Sequence, residues 1–106
     1  MFKVIIIDDE PIIRRGLKNV IDWHKYDCEV CAEAGEALNA IEIIKEQKPD
    51  IIFTDIKMPG MDGITMISEI INLVPDSKII ILTGHRDFDY ARDAVKYGVF
   101  EFLLKP

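Results

Sequence analysis

Acidic side chains stand where apolar runs stop. Val4–Ile7 runs into Asp8, Asp9 and Glu10, and Ile51–Thr54 runs into Asp55. Two further runs end on other polar groups: Ile79–Leu82 stops at Thr83, and Phe100–Leu104 stops at Lys105. Carboxylates gathered closely repel one another, and each makes its neighbours harder to ionise. A hard dication relieves that repulsion. Mg²⁺ takes one or two carboxylates together with waters and phosphate oxygens, leaving coordination positions open. A hydroxyl and an ammonium opposite such an ion suit further phosphate oxygens. A carboxylate can also accept a phosphoryl group itself, giving an aspartyl-phosphate. The metal then neutralises charge during transfer, and positioning is most of what the protein must do.

The elements that would bring these residues together alternate in type. Val4–Ile7 reads as a strand, and Pro11 then sits at a first helical position. Ile13, Leu17, Val20 and Ile21 follow at helical spacing. Glu29–Ala34 is a weaker strand, and Leu38, Ile41 and Ile44 mark a second helix that stops before Pro49. After the strand Ile51–Thr54, Asp62 is placed to cap a helix carrying Ile67, Ile70, Ile71 and Val74. After the strand Ile79–Leu82, Asp87 is placed to cap a helix carrying Phe88, Ala91 and Val95, with Gly98 at its C-terminus. Phe100–Leu104 is the last strand.

Strands that are apolar throughout, separated by amphipathic helices, predict a parallel sheet buried on both faces. That is a doubly wound, flavodoxin-like α/β domain. The order 2-1-3-4-5 suits five strands, and ligands then bind where the winding reverses, outside the carboxyl ends. Asp8, Asp9, Asp55, Thr83 and Lys105 all fall at that edge.

Composition agrees with one small domain over residues 1–106, with 49% hydrophobic and 30% charged residues. The longest apolar runs fall far short of a membrane span. The absence of a signal-like start makes a reducing cytoplasm the expectation. A formal net charge of −6 argues against this domain gripping nucleic acid by itself, while leaving room for a cation.

Taken in order, "DDE", "DIKMPGMDG", "TG" and "KP" resemble the receiver domain of two-component response regulators, and the match covers the whole chain. The resemblance implies that Asp55 is the phosphorylated residue. It implies that Asp8, Asp9 and Asp55, with the main-chain carbonyl of Lys57, hold Mg²⁺. Thr83 would contact the phosphoryl group, Lys105 would pair with it, and Phe102 matches the aromatic switch position. Lys57 and His85 stand where this family tunes phosphoryl lifetime, and the Lys105–Pro106 bond is usually cis. The donor would be a sensor histidine kinase or a small phosphodonor such as acetyl phosphate. Such a domain is a regulator that catalyses only its own phosphorylation and dephosphorylation. The surface of the fourth helix and fifth strand would contact an output domain or a second receiver. The stretch from "IDWHKYDCEV" to "AEAG" resembles receivers joined to an arabinose-regulator-type helix-turn-helix domain, which implies a DNA-binding, transcriptional output.

Simpler roles compete at single positions. Asp9 or Glu10 could cap the helix opened by Pro11, Thr83 could bond its own turn, and Phe102 could be core alone. Two other functions compete as well: a degenerate receiver acting only in protein interaction, and an aspartate-nucleophile phosphatase. The latter usually carries D-x-D after its first strand, where this chain has Asp-Asp-Glu-Pro. Cys28 and Cys31 spell C-x-x-C, but on a strand that spacing points to opposite faces, and they read as structural thiols. Trp23 and Tyr26 are expected to pack at the end of the first helix.

Receivers continue past "KP" into a fifth helix, whereas this sequence stops at Pro106. Right-handed crossovers put the first helix on one face and the next three on the other. Strands three to five are then bare on the first helix's face. An exposed patch on the order of 400 Å² would forgo roughly 10 kcal/mol of burial, comparable to a domain's whole net stability of about 5–15 kcal/mol. The expectation is a domain lacking its final helix, with that face covered by another copy in a homodimer or by an exchanged element.

Overall fold

The computed structural model describes residues 1–58, 61–84, 92, 98, 99 and 101–104; for Lys57, Met58, Asp62, Phe102 and Leu104 it describes the backbone. In chain order the elements are β1 (Phe2–Ile7), α1 (Pro11–Val20), a 3₁₀ turn (Trp23–Tyr26), β2 (Cys28–Ala34), α2 (Ala37–Gln47) and β3 (Ile51–Asp55). Then follow β4 (Lys57–Met58), β5 (Met61–Asp62), α3 (Gly63–Leu73), β6 (Lys78–Thr83) and β7 (Glu101–Leu104). The main sheet is parallel, five-stranded and ordered β2-β1-β3-β6-β7. With the short antiparallel pair β4–β5 set aside, this is the order expected from the sequence.

The apolar runs are explained by two covered faces. Along β1, Ile5 and Ile7 join a cluster with Ile52, Ile79, Ile81 and the inner sides of α2 and α3, including Ile44, Met66, Ile67 and Ile70. Val4 and Ile6 point the other way, into a smaller cluster with Cys28, Phe53 and Leu82, where Leu17 of α1 and Trp23 pack. Every residue of Val4–Ile7 is therefore buried, as a central parallel strand requires.

Several expected positions shift. Val20, placed on the buried stripe of α1, is 84% exposed; α1 ends there, and Trp23 in the following turn carries the apolar contact onward. Leu38 is 60% exposed, because α2 turns Ala37, Ala40, Ile41 and Ile44 inward, a stripe at i, i+3, i+4 and i+7 that leaves Leu38 one step aside. Asp62 directly precedes α3, as the last residue of β5. In β2 the pairing moves from Val4↔Val30 to Ile5↔Ala32, so Cys31 is the extra residue of a bulge. Cys28 and Cys31 are both free thiols, and burial, the largest cause, pushes the Cys31 thiol above its ordinary pKa.

The face beside α1 is less bare than expected. Phe53 and Leu82 are buried, and the Trp23 ring meets Phe53 edge-on, with centroids 5.6 Å apart and planes at 76°. Ile51 and Ile80 are half-buried, and Leu103 is 46% exposed. Trp23 thus supplies part of the cover that strand topology alone assigns to nothing, which reduces what a second copy would gain by docking there. The fourth helix expected at Asp87–Val95 lies outside the described residues except Arg92, which is helical. Gly98 has φ +92°, the left-handed conformation that favours glycine after a helix. His85, Lys105 and Pro106, with the bond joining the last two, also lie outside the described residues. Among the described residues, no helix is long and apolar enough to cross a membrane.

Candidate functional site

Strand register builds the site. Ile7 pairs with Thr54 and Asp55 with Leu82. Asp8, following Ile7, therefore stands level with Asp55, and Thr83 lies one residue beyond Leu82 on the next strand. Neighbouring strands are about 4.8 Å apart, so these side chains share one edge of the sheet. Asp8, Asp55 and Thr83 are buried there, while Asp9 and Glu10 are exposed. Phe102 pairs with Ile81 in β7, one strand further on.

The backbone around the carboxylates is held at several points. The Asp8 N–H donates to the Ala34 carbonyl at 3.0 Å, and Asp8 Oδ1 accepts the Glu10 N–H at 2.9 Å. Arg14 Nη1 donates to the Asp8 carbonyl at 2.6 Å. Thr54 Oγ1, buried, donates to the Asp55 carbonyl at 2.9 Å. Glu10 occupies the N-cap position of α1 without a side-chain capping bond, and Pro11 opens the helix. The capping role weighed for Glu10 is thus not taken up, whereas the local bond weighed for Thr83 is: its Oγ1 donates to the Gly84 carbonyl at 3.1 Å.

Asp8, Asp9 and Glu10 each offer an oxygen within 4.8 Å of the others. Such an all-oxygen, anionic donor set fits a hard dication such as Mg²⁺ rather than a softer metal. Lys57 lies in β4, two residues past Asp55, where the chain turns back through an antiparallel pair into α3. That return is tight: a Cβ at Gly63 would collide with the Ile56 carbonyl oxygen. The structure thus clusters Asp8 and Asp9 with Glu10 and sets Asp55 and Thr83 at the same sheet edge by strand register, with Asp55 outside that cluster, while Lys105 and the Phe102 side chain lie outside the described residues. Glu10, read from the sequence as ending the first strand beside Asp8 and Asp9 but not counted among the metal ligands, is the third carboxylate of this cluster. Sequence reasoning missed Thr54, Arg14, Glu33, Gly35 and Gly63, whose contacts are made across elements or by the backbone.

A doubly wound sheet with carboxylates and a hydroxyl at its carboxyl edge defines a class of α/β domains with a site at the switch point. Comparison with known proteins narrows the class. The chain matches the response regulator receiver domain over residues 4–106, and it belongs to that family. It is 40% identical over 106 residues to a Bacillus subtilis (strain 168) protein described as uncharacterized transcriptional regulatory protein YesN, covering all of this chain and 29% of that protein. It is 39% identical over 106 residues to transcriptional regulatory protein HptR of Staphylococcus aureus (strain NCTC 8325 / PS 47), again over the whole chain and 41% of that protein. The chain therefore spans well under half the length of these curated relatives. Among solved structures, the REC domain of AraT, a response regulator from Geobacillus stearothermophilus, superposes with a TM-score of 0.95 at 40% identity, covering 99% of this chain and 81% of that one. A two component transcriptional regulator AraC from Clostridium phytofermentans ISDg gives a TM-score of 0.90 at 33% identity, covering 100% and 82%.

Proposed function

We propose that residues 1–106 form the receiver of a transcriptional regulator, a switch in which Asp55 accepts a phosphoryl group in a Mg²⁺-dependent reaction. The observation that carries this reading is the register that sets Asp8 and Asp55 level on adjacent strands, with Asp9 and Glu10 clustered beside Asp8. Asp8, Asp9, Asp55 and the Lys57 carbonyl would hold the ion, which when bound would neutralise charge on the phosphoryl oxygens.

An Asp55 carboxylate oxygen forms the new bond to phosphorus as the donor's bond to phosphorus breaks. The donor is a sensor histidine kinase or acetyl phosphate. The Thr83 hydroxyl turns from the Gly84 carbonyl to a phosphoryl oxygen, and Lys105 pairs with another. Phe102 follows Thr83, and populations shift between two packings of the same domain. The changed surface around β7 and the preceding helix engages an output domain or a second receiver. The domain acts in the cytoplasm and is regulatory rather than a turnover enzyme.

The test is labelling from acetyl phosphate with and without Mg²⁺, followed on phosphoprotein gels. Label appearing only with Mg²⁺ is expected. No label from acetyl phosphate or from any histidine kinase would favour a pure interaction module, and steady turnover of a generic phosphomonoester would favour a phosphatase.

A further inference from the structure

We propose that Arg14, steered by Glu33 and given room by Gly35, is a positioning residue that sets how tightly the Asp8–Asp9 cluster binds a divalent cation. This rests on the reading above that the cluster takes Mg²⁺.

Arg14 lies on α1 but reaches the end of β1, where Nη1 donates to the Asp8 carbonyl at 2.6 Å. Its Nε pairs with Glu33 Oε1 on β2 at 3.3 Å, and Lys18 Nζ holds the other carboxylate oxygen, Oε2, at 3.3 Å. One planar guanidinium thus ties two neighbouring strands together, a task that needs its rigid fork of donors. The absence of a side chain at residue 35 leaves room for this reach. A Cβ at Gly35 would lie 3.0 Å from Arg14 Nη1 and 3.8 Å from the Asp8 carbonyl oxygen. The Asp8 peptide is then fixed from three directions: by Ala34 at its N–H, by Arg14 at its C=O and by Glu10 at its carboxylate. A carboxylate fixed before the ion arrives loses less freedom on binding.

Charge sharpens the argument. A bare guanidinium beside an acidic cluster would repel a dication. Glu33, shared with Lys18, offsets part of that charge and, by holding Nε, leaves Nη1 on the Asp8 carbonyl. Arg14 therefore orients the cluster without competing as its counter-ion, the role that outer partners play around metal ligands.

Isothermal titration with Mg²⁺ alone, beside thermal melts, tests this. Arg14→Ala and Glu33→Gln should each bind Mg²⁺ about tenfold more weakly, in the range seen when outer partners of metal ligands are removed. Arg14→Lys can still pair with Glu33, so it should recover the melting temperature but not the affinity, since one ammonium cannot serve both partners. A purely structural ion pair would move the melting temperature and leave the Mg²⁺ affinity alone, and that result overturns the proposal. Should Arg14→Ala fold poorly, Arg14→Met, which keeps the apolar stem and loses the guanidinium, is the second variant, and wild-type affinity there is equally contrary. If the wild type binds no Mg²⁺, the reading of the site fails and the role of Arg14 falls with it. If the wild type binds and the variants bind equally well, only the role of Arg14 fails.

Discussion

Gly63, the first residue of α3, abuts the carbonyl oxygen of Ile56 so closely that a Cβ at Gly63 would collide with it. Ile56 is buried and directly follows Asp55. The start of α3 therefore lies back against the peptide beside the proposed phosphoacceptor. Gly63→Ala must displace that backbone, and overpacking of this kind costs about 1–3 kcal/mol. Thermal denaturation should show a clear drop, with slower phosphorylation of Asp55. A wild-type melting curve for the alanine variant would mean that the contact relaxes freely.

Asp9 is exposed and belongs to the carboxylate cluster. Asp9→Ala should weaken Mg²⁺ binding while leaving the metal-free fold as stable as before, or more so, because one repelling charge is gone. A melt in chelator decides it: a clear fall in melting temperature would make Asp9 a structural residue.

Cys31 should be a sluggish thiol. Burial raises its pKa most, Glu29 and Asp50 add to this, and its backbone hydrogen bond and Lys3 oppose it. The folded state thus favours the protonated form. Its contribution to stability is whole below the unfolded thiol pKa and is lost as pH rises through the raised folded value. Alkylation by iodoacetamide at mildly alkaline pH should be slower at Cys31 in native protein than in urea, because the thiolate is the nucleophile. Equal rates would contradict the burial argument.

Trp23 covers the edge of Phe53 on the side of the sheet facing α1. Trp23→Ala should cost about 2–4 kcal/mol, somewhat less than for fully buried aromatics, while Trp23→Phe should recover part of that. Chemical denaturation measures both. An alanine variant within experimental error of wild type would show that the cluster gains nothing from this ring.

The sheet was legible because its signals are local. Val4–Ile7 and Ile51–Phe53 are apolar without alternation, as a doubly covered strand requires, and each leads to its carboxylate. What escaped is non-local. Helical spacing locates a buried stripe but does not choose between Ala37 and Leu38; close packing on the sheet favours the smaller residue against the greater hydrophobicity of Leu38. The bulge at Cys31 depends on pairing with β1, which period-two reasoning along β2 does not contain. Arg14 meets Asp8 and Glu33 only once three elements have docked, and Gly63 is required by a backbone oxygen seven residues earlier.

The central claim, that Asp55 is the phosphoacceptor, is tested most directly by intact-mass spectrometry of the wild type and Asp55→Asn after incubation with Mg²⁺ and acetyl phosphate. Asn nearly matches Asp in shape, so the fold is retained while the nucleophile is removed. The wild type should gain one phosphoryl group, about 80 Da, by carboxylate attack, and Asp55→Asn should gain nothing. Equal mass gain in both proteins at the same rate would contradict the account.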